Sequence, residues 1–122
     1  MILADTSIWV EHFRSGNDEL RKQLTSRQIV MHPFIVGELA LGSLEQRVTT
    51  LAFLERLPSV RVAQLDEVLR MIELRILYSG GIGLIDAHLI ASIFINSSTL
   101  LWTRDKRLSS IAEDLGIRAN LP

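Results

Sequence analysis

Apolar positions alternate between short runs and helical stripes along the whole chain. Met1 to Ala4 is an apolar run, and Asp5, Thr6 or Ser7 can cap a following helix with Trp9, Val10 and Phe13 on one face. Leu20 and Leu24, four apart among Asp18, Glu19, Arg21 and Lys22, predict a thinly amphipathic helix lying on the surface. Ile29 to Met31 predicts a short strand, and Pro33 is placed as the first residue of a helix running to Gly42. Ser43 with Gln46, or the adjacent Glu45, resembles a capping box opening a helix with Val48, Leu51, Leu54 and Leu57 inward, stopped by Pro58. Val60 and Val62 alternate with Arg61 as a half-exposed strand. Leu65, Val68, Leu69, Ile72 and Ile76 then recur at helical spacing, with Glu67, Arg70 and Glu73 opposite. Beyond the loop Ser79-Gly80-Gly81-Ile82-Gly83, a helix from about Asp86 to Asn96 is apolar nearly all round and belongs in the core. Leu100 to Trp102 predicts a strand, and Leu108, Ile111, Ala112 and Leu115 a closing helix ended by Gly116.

Strands separated by helices imply right-handed crossovers and a mostly parallel sheet. The expected fold is a single α/β domain over residues 1–122, a length that supports one core. The absence of cysteine excludes a disulfide scaffold, thiolate metal sites and thiol nucleophiles. No basic residue precedes Arg14, unlike the start of a signal peptide. The apolar stretch from Leu84 to Ile95 is broken by Asp86 and His88 and is too short to cross a bilayer. The chain therefore reads as a cytoplasmic soluble protein without a membrane partner.

Four carboxylates stand out. Asp5 ends the first strand and Asp105 follows the Leu100 to Trp102 strand, at the strand ends where open α/β sheets place their sites. Asp86 begins the core helix, and Glu38 is flanked by Phe34, Ile35, Val36, Leu39 and Leu41 in a helix with no Lys or Arg. Each Asp alone is explained as a helix N-cap. Together they are harder to explain, because two carboxylates about 5 Å apart repel by roughly 3 kcal/mol at an effective dielectric of about 20. A divalent cation resolves such a cluster, and ligation by oxygen alone favours magnesium or manganese over zinc. Ions of this kind mostly serve phosphate chemistry.

The blocks ADTSIW (Ala4 to Trp9), GEL (Gly37 to Leu39), LIDAHLIA (Leu84 to Ala91) and LWTRDKRL (Leu101 to Leu108) resemble, in order and spacing, the four signature blocks of PIN-domain ribonucleases of the VapC toxin type. The resemblance spans essentially the whole chain. It implies a PIN-like domain with a central, mostly parallel twisted sheet of four to five strands flanked by about seven helices. It also implies a catalytic metal site of Asp5, Glu38, Asp86 and Asp105 binding Mg2+ or Mn2+, with Thr6 and Thr103 lending hydroxyls to it or to its surroundings. The activity implied is hydrolysis of RNA phosphodiesters to a 5′-phosphate and a 3′-hydroxyl. The partners implied are a VapB-type antitoxin, whose tail would lie in the acidic groove, an RNA substrate and a second copy of the chain. One departure is Arg107, at a position where many relatives carry a further acid, which leaves Asp105 as the only acid of the last block.

Arg104, Lys106 and Arg107 cluster beside Asp105 and are expected to draw the RNA backbone to the metal; the alternative is a solvated helix start. With the four acids assigned to a cation, the remaining charge is positive although the whole chain carries −1. His88, alone on an apolar helix, reads as a satisfied core residue, and His12 and His32 carry no motif. The Gly80, Gly81 and Gly83 run lacks the lysine of a phosphate loop and reads as a flexible turn near Asp86. Trp9 and Trp102 are expected in the core, while Trp9, Phe13, Leu20 and Leu24 offer apolar surface for a dimer. A haloacid-dehalogenase-type phosphatase would need a second Asp where Ser7 stands. A non-catalytic PIN-like module binding RNA or protein is the other alternative.

Overall fold

In the computed structural model, which describes all 122 residues, the first apolar run folds as β1 (Ile2–Ala4) at the centre of a parallel sheet. It is flanked by β2 (Ile29–Val30) and β3 (Leu100–Trp102), with Ile2 opposite both Ile29 and Leu100. Seven helices surround the sheet: α1 (Thr6–Ser15), α2 (Asp18–Thr25), α3 (Pro33–Ala40), α4 (Arg47–Arg56), α5 (Leu65–Leu74), α6 (Leu84–Phe94) and α7 (Lys106–Asp114). Leu3, Ile8, Trp9, Ile35, Leu101 and Trp102 join most of the buried apolar residues in one core. Helix α6 buries every residue from Ala87 to Ile93, as its all-round apolarity predicts. The chain runs from β1 to a neighbour on one side and later returns to the other. The carboxyl ends of β1 and β3 therefore flank a switch point, where α/β sheets open a crevice.

The sheet has three strands, not four to five. The segment expected as a Val60 to Val62 strand makes only a one-residue bridge, Ser59 to Met31. Beyond it, side chains of and just after α6 satisfy the backbone. Asn96 bonds both the N–H and the carbonyl of Arg61 (3.0 and 2.8 Å), and Ser92 Oγ accepts from the Ala63 N–H (3.1 Å). A matching bridge between Leu101 and Arg118 extends the opposite edge.

Two helices also differ from expectation. No capping box forms at Ser43; a turn runs to Gln46, which takes a left-handed conformation, and α4 begins at Arg47 with Val48 pointing to solvent. Helix α6 starts at Leu84 with Gly83 as its cap, so Asp86 lies within the first turn rather than ahead of it. Of the residues expected to offer surplus apolar surface, only Phe13 is exposed. Trp9 and Leu20 are fully buried and Leu24 packs against the core, whereas Leu65, Leu69, Ile76, Tyr78 and Leu84 are each more than half exposed. No helix is long and apolar enough to cross a membrane.

Candidate metal and active site

Asp5 leaves β1 and caps α1, its Oδ1 accepting from the N–H groups of Ser7 (3.0 Å) and Ile8 (3.4 Å). The Ser7 hydroxyl donates to the same oxygen, and the Thr103 hydroxyl, just past β3, donates to Oδ2. Ser7 and Thr103 sit 3.4 Å apart, so Asp5 is held from both sides of the crevice. It is buried, and burial pushes its carboxyl above the usual range despite these four hydrogen bonds.

Asp105 is exposed and caps α7 through the Leu108 N–H (3.0 Å), while its own N–H donates to Thr103 Oγ1 (3.0 Å). One hydroxyl therefore ties the Asp5 carboxylate to the backbone of Asp105. Across the crevice, Thr6 donates to Glu38 Oε1 at 2.7 Å. Glu38 is half-exposed at the end of α3 rather than sunk among its apolar neighbours, and a hydroxyl, not a cation, is its partner.

Asp86 links the set electrostatically. Its carboxyl is raised first by burial and then by the like charges of Asp5, Asp105 and Glu38, with a Gly83 backbone hydrogen bond opposing. Asp86 thus lies within the fields of the other three carboxylates, although no three Asp, Glu or His side chains close on a common point as tightly as metal ligands do. The donor set suits a hard divalent cation nonetheless. It is wholly carboxylate oxygen, and the molecule's three ion pairs, Arg21–Asp18, Arg104–Glu11 and Arg118–Glu113, leave all four acids without a cationic partner.

The three basic residues of the last block separate. Arg104 donates through Nε to Glu11 (3.1 Å), and its backbone N–H donates to Ser7 Oγ (2.9 Å). Lys106 is exposed on α7. Arg107 lies across the Gly81 turn, so close that a Cβ there would meet its guanidinium at 2.5 Å. His88 is buried edge-on against Phe34, as expected of a core residue, yet its Nδ1 has no partner. A cavity of about 590 Å³ opens between α1 and the loop after α3, with Val10, Phe13, Glu38 and Leu39 in its wall.

Sequence reasoning missed Ser7 as part of this network, together with Glu11 and Asn17. Asn17, the buried cap of α2, donates to Glu11 (2.9 Å), which in turn holds Arg104. Only Ser7 carried a legible signal, a hydroxyl two residues past the acid at a strand-to-helix turn.

The PIN domain family matches residues 2–114 of the chain. Curated relatives named Ribonuclease VapC32, from Mycobacterium tuberculosis strains CDC 1551 / Oshkosh and ATCC 25618 / H37Rv, are each 41% identical over 117 residues. The alignment covers 96% of this chain and 94% of each relative.

Proposed function

Because this chain belongs to the PIN-domain family, in its VapC-type branch, we propose that it is a metal-dependent endoribonuclease, the toxin of a VapBC-type pair. The observation that carries this reading is the set of four carboxylates around one crevice, with no cationic partner and with Asp86 repelled by the other three.

In this reading Asp5, Glu38 and Asp86 ligate or orient the cation, and Asp105 serves as an outer or second-site ligand. Bound Mg2+ or Mn2+ supplies Lewis acidity toward phosphoryl oxygens and acidity to a coordinated water. The protein supplies orientation. Thr6 fixes one oxygen of Glu38, while Ser7 and Thr103 fix both oxygens of Asp5, so little reorganisation is needed when charge develops. Arg104 and Lys106 draw the phosphate backbone toward the crevice, and cleavage leaves a 5′-phosphate and a 3′-hydroxyl.

The large cavity beside Glu38 offers the apolar and acidic wall that a segment of a VapB-type antitoxin would occupy. The exposed residues Leu65, Leu69, Tyr78 and Leu84 give a homodimer its contact, in a cytoplasmic protein. Sedimentation at micromolar concentration tests this: a dimer that Leu69→Glu dissociates is expected, and a monomeric parent refutes the dimer.

Manganese titration followed by thermal melting tests the metal site. A cation bound at 100 times its Kd stabilises the fold by about 2.7 kcal/mol. The parent is expected to gain stability and Asp5→Asn to gain little; a parent indifferent to manganese contradicts the reading.

A further inference from the structure

Beside the carboxylate crevice lies a second concavity of about 460 Å³, lined by Thr103, Arg104, Lys106, Ser109, Glu113 and Arg118 among others. No apolar side chain lines it, which separates it from ordinary small-molecule pockets. Its three cations outnumber its single acid, and a positive excess remains when Glu11, the partner of Arg104, is counted.

Two of the cations are held in place. Glu11 takes the Nε–H of Arg104 (3.1 Å), leaving both terminal amino groups free of that contact. Glu113 takes one terminal nitrogen of Arg118 (3.1 Å), leaving its Nε and the other. An arginine pinned on one edge loses less freedom when its remaining donors engage a phosphate. Arg118 also sits on a backbone fixed to the sheet, since the flanking Ile117 carbonyl and Ala119 N–H both bond Leu101 at 2.7 Å. Thr103 belongs to both places, its hydroxyl bonding Asp5 while its residue borders the basin.

We propose that this basin is a phosphate-binding subsite for the RNA strand, with Arg104, Lys106 and Arg118 holding backbone phosphates next to the one being cleaved. The subsite rests on the ribonuclease reading for the identity of its ligand. It extends the contact surface from the start of α7 along one helix face to Arg118, more than a helix length away in sequence. Arg107, turned onto Gly81, lies outside it.

The test is binding of a fluorescent single-stranded oligoribonucleotide in chelator, without turnover, across a salt series. Each phosphate contact to a single strand contributes about 0.7 to the slope of log K against log salt. The Lys106→Gln/Arg118→Gln variant is therefore expected to lose about 1.4 of that slope and to bind roughly tenfold more weakly near 0.15 M salt. Lys22→Gln/Arg70→Gln, which removes two exposed cations elsewhere, is expected to match the parent. Equal slopes for the parent and the basin variant overturn the subsite. Cleavage of RNA by the parent in magnesium is scored separately. A parent that cleaves while the basin variant keeps its slope sinks the subsite alone. A parent that does not cleave but binds, with a slope that the variant loses, keeps the subsite and sinks the nuclease reading. A parent that neither binds nor cleaves sinks both.

Discussion

Thr103 donates its hydroxyl to Oδ2 of Asp5 across 98 residues of chain, joining the ends of two adjacent parallel strands. The Thr103 hydroxyl oxygen also accepts the N–H of Asp105, so one side chain sets the spacing of two acids. Thr103→Val keeps the shape and removes the donor and acceptor. Losing one or two such hydrogen bonds costs about 1–3 kcal/mol. The Asp5 carboxyl then rises further, so cation affinity and cleavage are expected to fall about tenfold or more, with Thr103→Ser restoring most of both. Manganese titration of the three proteins reads this out; unchanged affinity in the valine variant would show that Thr103 does not position Asp5.

Asp86→Asn removes the carboxylate that the other three repel. The metal-free variant is expected to be more stable than the parent, while cleavage falls at least about a hundredfold. The pH dependence follows the same sign. Asp5 and Asp86 are raised in the fold, so the native state binds their protons more tightly than the unfolded chain. The metal-free parent therefore loses stability as pH rises from about 3.8 through the folded values, and saturating manganese abolishes that loss. Denaturant midpoints with and without manganese are the check.

His32 titrates in the opposite sense. It is fully buried, with Nδ1 accepting from the Phe34 N–H (3.0 Å) and Nε2 paired with Ser92 Oγ (3.1 Å). Burial, and then the nearby His88, depress its pKa from 6.5 to about 4. The unfolded chain takes up this proton first, so the stability from neutral His32 is complete above about 6.5 and is lost as pH falls toward 4. His32→Gln is expected to remove that part of the slope, seen as the difference between the two proteins' urea midpoints across this window.

Gly81 has φ +81°, and Arg107 lies across it. Gly81→Ala meets both a backbone cost of about 1–2 kcal/mol and the guanidinium. The expected result is a melting temperature lower by several degrees, with the Gly81→Ala/Arg107→Ala double variant recovering the part due to the clash.

Much of this site was legible because its acids stand at element boundaries that the apolar pattern marks. Asp5 and Asp105 cap helices directly after strands, and the parallel order of β1 and β3 then brings them to one edge. Glu38 was legible for a mistaken reason: it is not sunk among the apolar residues of α3 but stands half-exposed against Thr6. The Val60 to Val62 strand failed because alternation does not reveal competing side-chain partners, and Ser92 and Asn96 claim that backbone. The stripe of Leu65, Leu69 and Ile76 predicts burial, but periodicity cannot tell a core from a contact with another molecule, and these residues face solvent. Arg118 carried no signal at all, since its place beside Arg104 depends on an edge bridge to Leu101.

The most direct test is incubation of the purified protein with RNA in magnesium, manganese or chelator, alongside Asp5→Asn, with the new ends identified chemically. Internal cleavage that needs the cation, leaves 5′-phosphates and disappears in the variant is the predicted result. Cleavage that persists in chelator, or at full rate in Asp5→Asn, would contradict the assignment of these carboxylates to a catalytic metal.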